Sequence, residues 1–130
     1  MSNDNRIMPK KVLDVGQCDL DHSNITSLLK ANFEVDVARA HSRSEAISMA
    51  TDESFDLVLV NRLFDADGSE GMAVVTDLKT NERTVDVPVM IVSNYEEAQV
   101  AAVEAGAVRG FGKSALGSDA TLDLLKSYLV

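Results

Sequence analysis

Cysteine is nearly absent from this chain. Cys18 stands alone among 130 residues, so no internal disulfide can form and a zinc site built from cysteines is disfavoured. Basic residues are also few, 12 against 21 acidic ones, and the formal charge of −9 works against electrostatic wrapping of nucleic acid or an anionic membrane. Any DNA contact would fall to another protein. No apolar run approaches the roughly 20 residues a membrane helix needs. The start, "MSNDNRIMPKK", lacks the apolar centre of a signal peptide. A soluble cytoplasmic protein is therefore expected, with residues 1–9 a flexible N-terminal tail and 10–130 one domain. The apolar fraction of 45% is enough to build a core at that length.

Two kinds of segment alternate along the chain. "KVLDV" (11–15), "FEVDVA" (33–38), "DLVLV" (56–60), "VPVMIV" (87–92) and "AVRGF" (107–111) are short and valine-rich, as strands are. The third and fourth are apolar on both faces, the mark of central parallel strands covered by helices on each side. Between them lie helical patterns. Ile25, Leu28 and Leu29 repeat at helical spacing, and Ser42 stands three residues before Glu45 as in a capping box. Gly71, Met72, Val74, Val75 and Leu78 outline an amphipathic helix, and an alanine-rich helix opens on Glu96 and Glu97 and ends at Gly106, a left-handed cap. "SDATLDLLKSYLV" closes the chain as a fifth helix. Five strand–helix repeats with short links imply an α/β doubly wound parallel sheet with helices on both faces. The working edge should then lie at the carboxyl ends of the strands, around 16–19, 61–71, 93–95 and 112–114.

The segment after the first strand, "GQCDLDHSN", is no glycine-rich phosphate loop, which leaves a nucleotide or flavin site little support. Asp65 and Asp67 before Gly68 echo part of a calcium loop, but the pattern breaks at Leu63 and Val74, so a solvated turn is expected. Asp14 lies within a strand between Leu13 and Val15; either it pairs with a basic group or that strand is exposed. Asp19 and Asp21 read as caps or electrostatic support for the first helix, with displaced metal ligands the alternative. His22 and His41 read as surface residues, and Cys18 as packing.

With element order and spacing in place, "DLVLVN", "PVMIVSN" and "EAGAVRGFGKS" together resemble the receiver domain of two-component response regulators, close to the chemotaxis type, over Lys11 to Val130. The resemblance implies a flavodoxin-like fold of five strands in the order 2-1-3-4-5 and five helices. It also implies magnesium-dependent phosphorylation of an aspartate ending the third strand, an acidic pair ending the first, a Ser or Thr ending the fourth and a Lys after the fifth.

Carried over residue by residue, the acidic pair falls on Gly16 and Gln17 and the phosphoacceptor on Asn61, none of which bears the needed charge. Ser93 and Lys113 match the hydroxyl and ammonium positions. The switch aromatic falls on Gly110, while Phe111 should face the other side of the sheet. The loop "RLFDADGSE" is about two residues longer than the family pattern.

The implied protein is a pseudo-receiver: a phosphorylation-independent protein interaction module of a phosphorelay, not an enzyme, with no metal and no cofactor. Its partner face would be the fourth helix, fifth strand and fifth helix, roughly 94–130, meeting another signalling protein or a second copy of itself. Asn61 is either a polar strand end satisfied by backbone or part of a remodelled recognition pocket. Arg62, Ser93 and Lys113 could hold an anion there. The competing expectation is an active phosphoacceptor using displaced acids, with Asp65 the acceptor.

Overall fold

A computed structural model describes residues 8–130; most of the expected tail, residues 1–7, lies outside the described residues. The elements run β1 (Lys10–Val15), α1 (Asp19–Asn32), β2 (Val35–Ala40), α2 (Arg43–Asp52), β3 (Leu57–Asn61), α3 (Met72–Thr80), β4 (Val89–Val92), α4 (Glu96–Glu104) and α5 (Asp119–Leu129), with a 3-10 turn at Lys113–Ala115 before α5. The strands pair in parallel in the order β2-β1-β3-β4.

Strand alternation divides the core between two faces. Leu13, Val15, Val58, Val60, Val89 and Ile91 point toward α2, α3 and α4, where Ala46, Ala50, Val74, Val75, Leu78 and Ala102 meet them. Val12, Leu57, Leu59, Met90 and Val92 point toward α1 and α5 and pack on Ile25, Leu29, Leu125 and Leu129. Burying each such Val, Ile or Leu contributes about 1.5–3 kcal/mol. The helix starts follow from sequence. Ser42 Oγ accepts from Glu45 N–H at 3.1 Å, while Glu45 reaches back to His41 N–H at 2.5 Å. Gly106 has φ +107 behind α4, as a left-handed cap requires.

The expected fifth strand is not formed as a regular strand. Val108 N–H donates to the Val89 carbonyl at 2.9 Å, but the 107–111 segment makes only an isolated bridge, Val92 with Phe111. The cause is Gln99 of α4, which is buried. Its Nε2 donates to the Ile91 carbonyl at 2.9 Å and its Oε1 accepts from Gly110 N–H at 2.8 Å, so a side-chain amide stands where a direct ladder bond would run. Alternation breaks with it: Ala107 joins the α2–α3–α4 face and Phe111 the α1–α5 face. Phe111 thus lies on the α1–α5 face, but not through the strand alternation expected to turn it there. Gly110 is tied to this path, since a Cβ there would stand 2.1 Å from the Ile91 carbonyl oxygen.

Candidate functional site

The carboxyl ends of β1, β3 and β4 meet at one edge of the sheet, and three of the five matched positions are locked there by backbone bonds. Asn61, buried, donates from Nδ2 to the Gly16 carbonyl at 3.0 Å. Ser93, also buried, accepts through Oγ from Tyr95 N–H at 3.1 Å. Gly16 itself has φ +79, and a Cβ at that position would stand 2.3 Å from a ring carbon of Phe64. The ring occupies the space that a side chain at the end of β1 would need. Phe64 is 2% exposed and belongs to the core.

The long loop after β3 delivers that ring. Leu63 and Glu70 form an antiparallel bridge, Phe64 N–H donates to the Ser69 carbonyl at 2.8 Å, and Gly68 N–H returns to the Phe64 carbonyl at 2.7 Å. In this exposed turn the Ser69 side chain, together with Ser69 N–H donating to Asp67 Oδ1 at 2.9 Å, holds the carboxyl of Asp67 below its ordinary range. Asp65 N–H donates to the Gly16 carbonyl at 3.0 Å, so that oxygen is shared by Asp65 and Asn61. The loop length was readable from sequence; that Phe64 fills the site was not, because a lone aromatic in an acidic loop carries no periodic signal.

Beside Asn61 lies a cavity of about 340 Å³ lined by Asn61, Arg62, Leu63, Val92, Ser93, Asn94, Tyr95 and Lys113. Lys113 reaches it and also pairs with Asp21 at 2.7 Å. The hydrogen bond from Lys113 keeps the Asp21 carboxyl below its usual range. Arg62 stacks its guanidinium 4.6 Å from the centre of the Tyr95 ring. Gly112 permits the close approach of the last loop: a Cβ there would meet Asn94 Oδ1 at 2.1 Å, and that oxygen accepts from Ser114 N–H and Oγ–H at 3.1 and 3.0 Å.

Behind Gly16, β1 carries a fully buried carboxylate. Asp14 points toward α1, where His22 Nδ1 lies 2.6 Å from Asp14 Oδ2. His22 is therefore not the simple surface residue expected: it is the basic partner of Asp14. Burial pushes the Asp14 carboxyl above its ordinary range against the opposing pull of His22. Gln17, 2% exposed, sits beside the same carboxylate and favours its charge, yet neither atom of its amide is in hydrogen-bond geometry. Of the roles expected for Asp19 and Asp21, capping falls to neither, while electrostatic support of the helix holds. The α1 cap is Cys18, whose Sγ accepts from Asp21 N–H at 3.4 Å, whereas Asp19 pairs with Arg39 at 2.8 Å and Asp21 with Lys113. Both acids still lie in the first turn, where they favour the helix dipole.

No family model matches the chain, and no curated protein does. Solved structures do. A response regulator from Thermotoga maritima is 23% identical over 93% of this chain and 98% of its own, with a TM-score of 0.74. The receiver domain of NtrX from Brucella abortus is 20% identical over 91% of this chain and 97% of its own, also at 0.74. The signal receiver domain of a DNA-binding response regulator from Colwellia psychrerythraea is 17% identical over 91% and 96%, at 0.75. The chain has a receiver fold.

Within this receiver fold the matched positions do not all converge. Asn61, Ser93 and Lys113 line one cavity and Arg62 joins them, while Gly16 and Gln17 lie behind Asn61 and do not. Among the described residues no group of three or more His, Cys, Asp or Glu side chains is placed to hold a metal ion, and no helix is long and apolar enough to cross a membrane.

Proposed function

We propose that the chain is an atypical response-regulator receiver domain that acts in two-component-type signalling as a protein interaction module, without phosphorylation or catalysis of its own. The observation that carries this reading is the Phe64 ring packed over Gly16, with the Asn61 amide bonded to the Gly16 carbonyl. The resemblance puts an acidic pair and a phosphoacceptor at these positions. Here the carboxylates are missing, and the space beside them is taken up by hydrocarbon. A hard divalent ion needs several oxygen ligands, usually carboxylates among them, so restoring one acid would not restore the site.

The partner face implied by the resemblance has the right character for docking. On α4, Tyr95 just before the helix and Val100 and Val103 within it are 46–54% exposed, on the side away from the sheet. Another signalling protein of the cytoplasm, or a second copy of this chain, would bind there. The competing reading, phosphorylation of Asp65, has less support: Asp65 is exposed on the acidic loop, and its amide is committed to Gly16. A magnesium titration followed through the amides of Gly16, Gln17, Asn61 and Arg62 separates the two. The proposal expects no saturable shift; a shift centred on these residues overturns it.

A further inference from the structure

Hydrogen-bonding capacity in the cavity beside Asn61 is divided unevenly. Ser93 Oγ already accepts from Tyr95 N–H, and Asn94 Oδ1 from Ser114 N–H and Oγ–H. Apart from Asn61, whose Nδ2 is spent on the Gly16 carbonyl and whose Oδ1 remains an acceptor, the side-chain groups left to face the cavity are donors: the Ser93 hydroxyl hydrogen, the Asn94 amide hydrogens, the Arg62 guanidinium, and the Lys113 hydrogens not used on Asp21. No carboxylate lines it. Lys113 and Asp21 neutralise each other. Arg62 makes no ion pair among the described residues and is held by its stack on Tyr95. In a chain of formal charge −9, this cavity reverses the sign of its surroundings.

We propose that the cavity binds a compact oxyanion, a carboxylate or phosphate group, without a metal ion. Arg62 supplies the charge and a planar fork of donors, and Ser93, Asn94 and Lys113 supply the remaining hydrogen bonds. A volume of about 340 Å³ admits such a head group with a short stem. Leu63 and Tyr95, 40% and 54% exposed, form an apolar lip on which the stem of a protein-borne carboxylate would pack, an advantage that free phosphate lacks. The inference rests on the functional reading above, because the carboxylates of an intact phosphorylation site, left without a metal ion, would repel the same ligand.

The test is an amide-resolved NMR titration in buffer containing a chelator, with inorganic phosphate in one arm and the blocked peptide acetyl-Leu-Glu-Leu-amide in the other. Saturable shifts at Ser93, Asn94, Tyr95, Lys113 and Ser114 are expected in at least one arm. Saturation by phosphate marks a free anion as the ligand, and tighter binding of the peptide marks a partner's carboxylate. Arg62→Gln should weaken binding about tenfold or more, the loss of a charge-assisted contact, with Arg62→Lys falling between. Lys113→Met gives an independent variant. Absence of a saturable shift in both arms, or wild-type affinity in Arg62→Gln, overturns the inference while leaving the functional reading intact. Covalent gain of a phosphoryl group would instead overturn the functional reading.

Discussion

Substituting Gly16 and Phe64 by alanine, singly and together, measures how tightly the aromatic ring closes the end of β1. Gly16→Ala meets two obstacles. Its φ of +79 is left-handed, a conformation that costs an L-residue about 1–2 kcal/mol. Its new Cβ would lie 2.3, 2.8 and 2.8 Å from three Phe64 ring carbons, an overpacking that costs about 1–3 kcal/mol once the ring shifts. The substitution should therefore lower stability by about 2–5 kcal/mol. Phe64→Ala removes a buried ring and should cost about 3–5 kcal/mol alone. In that background the steric obstacle is gone, so Gly16→Ala should cost only the backbone part, about 1–2 kcal/mol. The favourable coupling between the two substitutions, about 1–3 kcal/mol, is then the steric contribution isolated by the cycle. Urea unfolding of the four proteins at pH 7, read by circular dichroism with the slopes checked for constancy, supplies the numbers; Phe64→Leu provides a second background if Phe64→Ala falls too low. An equal cost of Gly16→Ala in both backgrounds would refute the claim that the ring fills this space.

Other consequences concern the buried polar groups. Because burial raises the Asp14 carboxyl above 3.8, the folded chain holds that proton more firmly than the unfolded one. The contribution of Asp14 to stability is then fully present below the unfolded value and lost as pH rises through the folded one. Asp14→Asn should gain stability relative to wild type as pH rises through this window, measurable as urea midpoints from pH 3.5 to 7; a flat difference would contradict the assignment. Gln99→Leu strips partners from Gly110 N–H and the Ile91 carbonyl and should cost about 1–3 kcal/mol. The Gly110 amide should exchange hydrogen faster, and unchanged protection there would show that Gln99 is not what holds the 107–111 segment.

Much of the fold can be read from local pattern. The first four valine-rich segments and the helices between them, Ser42 with Glu45, and Gly106 each act through neighbours a few residues away, and the structure has them within a few residues of the expected places. The features that escape are long-range. Gln99 takes over a ladder bond from a helix, which no strand-like composition at 107–111 can foretell. Asp14 signals that it needs a partner, but His22 meets it only because β1 and the start of α1 pack together. The site divides the same way. Asn61, Ser93 and Lys113 fall into one cavity as their strand-end positions imply, whereas the pairing of Lys113 with Asp21 and the placing of Phe64 over Gly16 depend on loops whose paths are set by tertiary contacts.

The central claim, that this receiver fold works without its own phosphorylation, is tested most directly by intact mass. The protein is incubated with magnesium and a small phosphodonor, and its mass is followed over time. The account predicts the mass of the unmodified chain throughout; a gain of one phosphoryl group that depends on magnesium would contradict it.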